Sequence, residues 1–344
     1  MHPNDGGGDK YRPTPGRKRG QGLVTIGRPL GLVVGDQSGA YDSYGLISHA
    51  REVFMVDPII YQVLDLCRWG QSPEWVGGVM DGLGISERCQ RDALTFALDV
   101  GLLAKYDAKD GRLDGRRSLA KFIMRRRGVP DPTTPIGSNR ILIPEGVLTV
   151  SAVMFDFWQR WRDQQLAWFG VHIFSSRPVA EDVIKWSFWL PVRGLGLGIL
   201  WLDAEAPSQK LREGPGAGAH WAKPASLWMM DPMWPRRSAN FKYLHKTYVN
   251  ANVYAQSLGV PTGRFGVNGQ WHIRNWNNQD VIVDADEFAL FSLADVVRPS
   301  QLAERLAAEI GVTSQIAIAR ILAAADRLEA KRCIRFETAP PIDN

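Results

Sequence analysis

The chain has 344 residues with a formal net charge of +5, and 45% of its residues are hydrophobic. This length predicts two or three domains, and without any run of about 18 uninterrupted apolar residues no membrane span is expected. Three widely spaced cysteines, Cys67, Cys89 and Cys333, form no CxxC pair, which argues against a disulfide framework or a common zinc site and favours a cytoplasmic setting.

Residues 1–22 are predicted to be a flexible basic arm. They hold six glycines and three prolines, and five Lys or Arg against two Asp. Such a segment buries too little apolar surface to offset the entropy that ordering would cost. Two interpretations stay open: a solubilising tail, or an arm whose Lys18 and Arg19 meet phosphates or an acidic partner.

A first module is predicted over residues 23–115. Apolar runs separated by a Gly-Asp-Gln-Ser-Gly turn predict a small antiparallel sheet. Three helices follow, and their predicted N-terminal residues are Asp57, Ser72 and Ser86. Gly101 ends the third helix, and a strand and a turn come after it. A sheet, three helices and a closing strand are typical of a winged helix.

A basic segment and linker are predicted over residues 116–137. Seven cationic side chains lie within sixteen residues: Arg112, Arg116, Arg117, Lys121, Arg125, Arg126 and Arg127. If this segment is helical, Arg117, Lys121 and Arg125 share one face, which is unfavourable unless an anion lies nearby. The segment is either a solvated face or a binding surface for an acidic peptide, nucleic acid or an anionic membrane surface.

A tryptophan-rich α/β region is predicted over residues 138–260. It holds nine of the thirteen tryptophans. Hydrophobic spacing predicts a helix over 151–169, two strands over 186–202 and an amphipathic helix over 240–258. Aromatic residues at helical spacing are typical of a core, whereas the candidates for contact with bases or a peptide lie in a loop-like part: Trp221, Trp228 and Trp234.

Motifs for catalysis are weak. The segment 193–198, RGLGLG, lacks the GK[ST] ending of a phosphate loop. The candidate acid–base or metal-binding side chains do not stand at HExxH or HxH spacing: His172, His220, His245, Asp203 and Glu205. We therefore predict no catalytic residues, no bound metal and no cofactor; the alternative is that the tryptophan-rich central region is itself an enzyme.

A second module is predicted over residues 261–338, followed by a tail over 339–344. It repeats the first at an offset of 227, which places Tyr61 on Phe288 and Gly84 on Gly311 without a gap. Repetition at a fixed offset indicates a duplicated structural unit. The predicted fold class is therefore α+β, with two winged-helix modules, each of three helices and a small antiparallel sheet, flanking the tryptophan-rich α/β centre.

The sheet that leads into Val-Asp, followed by YQVLDLC, SPEWVGGV and a final GLL, resembles the PqqD-like or RiPP recognition element family of peptide-binding winged helices. Members of that family present a precursor peptide to a modifying enzyme and have no chemistry of their own. The resemblance implies that an extended peptide adds to the edge of the small sheet. The implied edges are Val53, Phe54, Met55 and Val56 in the first module and Val281, Ile282 and Val283 in the second.

A second resemblance keeps another function open. The segment GISERCQRDALTFALDVGLL is similar to a DNA-binding winged helix, whose third helix enters the major groove. The residues at the start of that helix would be Ser86, Arg88, Gln90 and Arg91. The leading hypothesis is capture of a peptide or protein segment within a modifying complex. The alternative is a nucleic-acid-binding protein of a phage, plasmid, transcription or replication system that uses the first module, the basic segment and the arm.

Overall fold

The computed structural model of the protein describes residues 21–33, 43–107, 119, 121–131, 139–143, 146–160, 165–166, 194–213, 220–225, 253–265, 270–294 and 297–338. These residues form helices and several small, mainly antiparallel sheets, so the α+β class is confirmed. Residues 1–20 of the predicted arm and the predicted tail lie outside the described residues.

The strands fall into three groups along the chain. The first group is β1 (Gln21–Thr25), β2 (Arg28–Val33), β3 (Tyr44–His49), β4 (Glu52–Val56) and β5 (Leu103–Asp107). The middle group is β6 (Ile123–Arg126), β7 (Val129–Pro130), β8 (Arg140–Ile143), β9 (Gly146–Thr149), β10 (Gln165–Leu166), β11 (Leu200–Asp203) and β12 (Ala222–Pro224). The last group is β13 (Val253–Ser257), β14 (Val260–Phe265), β15 (Gln270–Arg274), β16 (Asp280–Val283) and β17 (Ile334–Thr338).

The helices divide in the same way. Three lie among the first strands: α1 (Pro58–Leu66), α2 (Pro73–Gly82) and α3 (Glu87–Asp99). Among the described residues of the middle region there are two: α4 (Ala152–Arg160) and α5 (Gln209–Glu213). Three precede the last strand: α6 (Ala285–Leu293), α7 (Pro299–Ile310) and α8 (Ser314–Ala330).

One order of elements therefore occurs twice, as four strands, three helices and one strand. We call residues 21–107 the first repeat and residues 253–338 the second repeat. In the first repeat β1 pairs antiparallel with β5, and in the second β13 pairs antiparallel with β17. The opening and closing strands of each repeat are thus neighbours, although three helices separate them in sequence. The second repeat begins earlier than the module boundary predicted at 261.

Local capping explains where the helices of both repeats begin. The Asp57 carboxylate accepts from the backbone N–H groups of Ile59 and Ile60 at the start of α1. The predicted N-caps Ser72, Ser86 and Thr313 are confirmed, since each hydroxyl accepts from an N–H in the first turn of its helix. A side-chain acceptor at this position satisfies a backbone donor that the helix leaves unpaired.

Asp284 forms a fuller cap on α6. Its carboxylate accepts from the Glu287 N–H, and the Glu287 carboxylate accepts from the Asp284 N–H. This reciprocal arrangement is a capping box. The equivalent position of the first repeat, Ile60, has no carboxylate with which to reach back.

The largest sheet has seven strands in the order β12-β4-β3-β2-β14-β15-β16. Each repeat contributes three consecutive antiparallel strands, and the two groups meet where β2 and β14 run parallel, with Arg264 opposite Val33. Among the described residues, the two outermost strands of this sheet are therefore β12 and β16. Strand β12 covers the docking edge predicted on β4, and β16 is itself the second predicted edge.

The chain divides into two compact units. The first comprises residues 1–27, 62–126 and 151–205, and the second comprises residues 28–61, 127–150 and 206–344. The first unit has a core around Val63, Leu64 and Ala97, and the second has one around Phe288 and Leu306, all fully buried. The seven-stranded sheet and the whole second repeat lie within the second unit.

The middle region differs from three sequence predictions. The helix predicted over 151–169 ends at Arg160, and a short strand, β10, follows it. Of residues 186–202, where two strands are predicted, 186–193 lie outside the described residues, and the rest form a helical turn at 194–196 and then β11. The helix predicted over 240–258 is wrong for 253–257, which form strand β13. These sequences alternate poorly, so helix and strand could not be separated by periodicity.

Candidate peptide-docking edges

The outer edge of β4, at Val53–Val56, is occupied by another part of the chain. Strand β12 pairs antiparallel with β4, with Ala222 opposite Val56 and Pro224 opposite Phe54. Two backbone hydrogen bonds frame the pairing: the Asp57 N–H donates to the Trp221 carbonyl at 3.0 Å, and the Ala225 N–H donates to the Val53 carbonyl at 2.8 Å. The predicted edge is thus not free, which corrects the expectation for this strand.

Backbone direction decides which groups of β4 meet β12. Because backbone groups of a strand point alternately to its two neighbours, Val53, Met55 and Asp57 face β12, while Phe54 and Val56 face β3. On the β12 side the facing residues are Trp221, Lys223 and Ala225. Pro224 falls at a position whose nitrogen points away from β4, which is where a strand tolerates proline.

Side chains add to this backbone pairing. His220 Nδ1 lies 3.4 Å from Asp57 Oδ1, and the two side chains are only 5% and 14% exposed. The next inward-facing residue, Ala222, is fully buried, whereas Lys223 and Pro224 are exposed. The Lys223 ammonium lies over the Trp221 ring at 5.3 Å. Asp57 thus contacts this segment through both its backbone N–H and its carboxylate. The sequence did not indicate the contact with His220, because the two residues are far apart in the chain.

The edge at β16 is arranged differently. Within the described residues β16 pairs with β15, and Ile282 is 50% exposed. The Ile282 carbonyl accepts from the Lys331 ammonium at 2.9 Å. Lys331 also donates to both Glu287 oxygens at 2.7 and 2.9 Å, and Glu287 in turn accepts from the Asp284 N–H.

These contacts occupy two backbone groups whose counterparts in the first repeat face β12. At the offset of 227, Ile282 corresponds to Met55 and Asp284 to Asp57; side chains bond the Ile282 carbonyl and the Asp284 N–H, whereas β12 pairs with Met55 and accepts from the Asp57 N–H. Glu287 corresponds to Ile60, and Lys331, which follows α8, corresponds to Val100, which follows α3. Neither Ile60 nor Val100 carries a polar side chain, so the first repeat has no equivalent of these two contacts.

The described members of the predicted cationic surface do not share one face. Arg125 is 1% exposed and donates from Nε to Asp203 at 2.9 Å, because β6 is a strand that turns this side chain inward. The prediction that Arg125 contacts a polyanion is therefore wrong. Arg126 and Arg127 are half-buried, with Arg126 over the Trp158 ring, and Lys121 is exposed. The remaining members lie outside the described residues: Arg112, Arg116, Arg117, Lys18 and Arg19.

The start of α3 separates into buried and exposed residues. Gln90 is buried and donates to Asp81 and to the Ile85 carbonyl, so it is wrong as a base-reading side chain. Arg88 and Arg91 have side chains that are 90% and 69% exposed. Each lies near an acidic residue one helical turn away, at 3.8 Å from Asp92 and 4.0 Å from Glu87.

Tryptophans of the middle region divide in the same way. Trp158 and Trp201 are buried, in agreement with the core interpretation of aromatic spacing. Trp221 is half-buried beside β12, and Trp228 and Trp234 lie outside the described residues, as do His172 and His245.

The chain was compared with known protein families, proteins and structures. Searches against protein-family models, curated proteins and solved structures find no match to the chain. In the part of the chain that the structure describes, no helix has the length and apolar character needed to cross a bilayer, and no group of three or more His, Cys, Asp or Glu side chains is placed to hold a metal ion. The contacts of the two sheet edges are therefore the basis for a functional proposal.

Proposed function

We propose that the protein is a non-catalytic binding protein with two winged-helix modules, and that the β4 edge of the first module receives an extended peptide segment. The observation that carries this proposal is the pairing of β12 with β4. A three-residue strand from a distant part of the sequence lies there in antiparallel register, bonded through backbone groups at both ends. Strand addition to a sheet edge is a general mode of peptide recognition.

The features of the edge suit a selective site. Backbone bonds at Val53 and Asp57 supply affinity that does not depend on peptide sequence. The buried positions of His220 and Ala222 supply selectivity for the peptide sequence. The first selects a polar side chain that can contact Asp57, and the second selects a small side chain. The second module, whose edge groups are filled by Lys331 and Glu287, supports the sheet from its other side without taking a peptide strand.

The test uses a synthetic peptide of the chain's own sequence 217–227, AGAHWAKPASL, labelled with a fluorophore. The protein carries Lys223→Pro and Ala225→Pro, which remove the backbone donors that face β4 and so free the edge. We expect saturable binding by fluorescence anisotropy. Circular dichroism checks that this variant is folded.

Matched peptides locate the contact. Methylation of the Ala225 nitrogen should weaken binding at least about tenfold, because the Val53 carbonyl loses its donor. Methylation of the Ala222 nitrogen, which faces away from β4, should have a much smaller effect. Absence of binding to the freed edge, or an equal effect of the two methyl groups, would contradict the proposed function.

One observation favours a second candidate, contact with nucleic acid through α3. Arg88 and Arg91 stand exposed next to the Ser86 cap, whereas α8 of the second repeat opens with Ser314 and Gln315. If these arginines bind phosphates, Arg88→Ala and Arg91→Ala should each lower the slope of log K against log salt for random duplex DNA by about 1. Arg335→Ala, an exposed change in the second repeat, is the control, and no binding at about 50 mM salt would exclude this candidate.

A further inference from the structure

We infer that residues 220–225 are a built-in, displaceable occupant of the β4 edge, and that the contact between His220 and Asp57 is the latch that holds them there. The inference rests on the proposed function, since it concerns regulation of the same edge. A partner peptide would bind only after this segment, which we call the cis strand, has left.

The cis strand has few buried contacts. It pairs with β4 over three residues; of its side chains His220 and Ala222 are buried and Trp221 is half-buried. Lys223 and Pro224 are exposed and bury little apolar surface, and the adjoining helix α5 adds an exposed contact between Arg212 and Glu52 of β4. Apolar burial is therefore largely confined to Ala222 and part of the Trp221 ring, and the backbone bonds and the latch supply much of the remaining contact.

Asp57 holds the cis strand through both its backbone and its side chain. Its N–H donates to the Trp221 carbonyl and its carboxylate lies beside His220, so one residue receives both parts of the segment. The same carboxylate oxygen also accepts from the Ile59 and Ile60 N–H groups at the start of α1. Loss of His220 therefore removes a contact from the cis strand while Asp57 keeps its capping bonds.

The second repeat bonds the corresponding edge groups in another way. There Lys331 and Glu287 bond the Ile282 carbonyl and the Asp284 N–H, and both belong to the same module as the edge. The first repeat has Val100 and Ile60 at those positions, so the Met55 and Asp57 groups depend on a separate segment. An edge that is completed by an exchangeable strand can change its occupant, whereas an edge completed by its own side chains cannot.

The consequence is competition between the cis strand and any peptide added in trans. The apparent affinity for a peptide falls by the fraction of molecules in which the edge is open. The labelled 217–227 peptide should bind His220→Ala at least about tenfold more tightly than it binds the unaltered protein. Ala222→Leu should act in the same direction, because a larger side chain does not fit at a fully buried position.

Lys223→Ala is the matched control, because its side chain is exposed and its backbone bonds are kept. Its affinity for the peptide should equal that of the unaltered protein within about twofold. Equal affinities of the unaltered protein, His220→Ala and Ala222→Leu would overturn the inference. Absence of peptide binding to the freed edge of the Lys223→Pro, Ala225→Pro variant would instead overturn the proposed function, so the two failures are distinct.

Hydrogen exchange tests the same inference on the unaltered protein, so the result does not depend on whether a variant folds. Hydrogen exchange of the Asp57 amide, which donates to the cis strand, is compared with that of the Phe54 amide, which faces β3. If the cis strand leaves while β3 and β4 stay paired, Asp57 should exchange at least about tenfold faster than Phe54. Equal protection of the two amides would show that the strand opens only with the sheet, and would contradict the inference.

Discussion

Equivalent positions of the two repeats hold residues of very different size. Gly45 lies opposite Val56, and Trp271 lies opposite the corresponding Val283. A Cβ added to Gly45 would lie 2.3 Å from the Cβ of Tyr61, whereas the Trp271 ring stacks on the ring of Phe288 at 3.9 Å. In the first repeat α1 therefore lies close to the backbone of β3 at Gly45. In the second repeat the Trp271 indole lies between β15 and α6.

The close approach at Gly45 gives a test with a paired control. Gly45→Ala should lower the free energy of unfolding by about 1–3 kcal/mol, because the neighbour that it meets is a Cβ atom close to a helix backbone. Gly78→Ala in α2, where no atom lies within 4 Å of the added Cβ, should raise it by up to about 1 kcal/mol. Urea unfolding of both variants measures the difference, and a change of the same sign in both would refute this account.

The buried thiols and Tyr106 determine how the stability of the fold should change at alkaline pH. Burial raises the pKa of Cys67 and of Cys333 to about 12, although the nearby Lys331 ammonium lowers that of Cys333. Burial, followed by the charge of Cys67, raises the pKa of Tyr106 to about 12. Groups whose pKa is higher in the folded state stabilise the fold below their unfolded pKa, and that stability is lost as the pH rises through the folded pKa.

We expect the free energy of unfolding to fall as the pH is raised from about 9 towards about 12. Urea unfolding at pH 8 and at pH 10.5, with Cys67→Ala alongside, measures the change, and the variant should lose less over this interval. A thiol reagent at pH 8 should label the half-buried Cys89 and spare the other two cysteines. Equal labelling of all three would contradict the burial of Cys67 and Cys333.

At the scale of elements, an ion pair joins the first and third helices of the second repeat. Arg320 of α8 donates twice to Asp286 of α6, at 2.9 and 2.8 Å, with both side chains nearly buried. At the offset of 227 the corresponding residues of the first repeat are Ala93 and Ile59. Two uncharged residues thus stand in the first repeat where the second has an ion pair.

This contrast predicts a rescue. Arg320→Ala alone should destabilise the protein by about 3–5 kcal/mol, because it leaves the Asp286 carboxylate buried without its partner. Adding Asp286→Ile, which installs the first repeat's pair, should restore most of the loss, since apolar residues often replace a buried ion pair at little cost. Urea unfolding of the single and double variants tests the cycle, and a double variant as unstable as the single one would be inconsistent with it.

The sequence predicted the helix N-caps, which depend on neighbouring residues. It did not predict the pairings between residues that are far apart in the chain. The caps at Ser72, Ser86 and Thr313 depend on neighbouring residues, so the sequence indicates them directly. Strand β12 lies in a stretch rich in glycine, proline and alanine, and its partner β4 is far away in the chain, so no local pattern marks it. Arg125 belongs to a run that local charge marks as a surface, yet its partner Asp203 is 78 residues distant.

At the scale of the molecule, one arginine links strand β2 to the second repeat. Arg28 of β2 donates from Nη2 to the carbonyls of Phe291 and Ser292, at 2.8 and 2.7 Å, near the end of α6, and from Nη1 to the Ser257 hydroxyl of β13. A cation at this position complements the negative end of the helix. Strand β2 is therefore held to the second repeat by side-chain bonds as well as by its single parallel pairing with β14.

Removal of this contact should weaken the whole second unit. Arg28→Ala should lower the free energy of unfolding by about 2–3 kcal/mol, since it removes bonds from a charged donor. Arg28→Lys should recover only part, because an ammonium lacks the planar fork that reaches three acceptors. Thermal unfolding monitors both variants, with the exposed Arg335→Ala as a control, and full recovery by lysine would contradict the proposed geometry.

The proline of β12 and the lysine over Ile282 together have a consequence for solubility. They stand at the two outermost strands of the seven-stranded sheet, the positions from which copies of a chain could stack into continuous fibrils. Pro224 offers no N–H to a further strand, and the Lys331 ammonium occupies a carbonyl that such a strand would need. We therefore expect both described edges of the sheet to disfavour pairing with further copies of the chain.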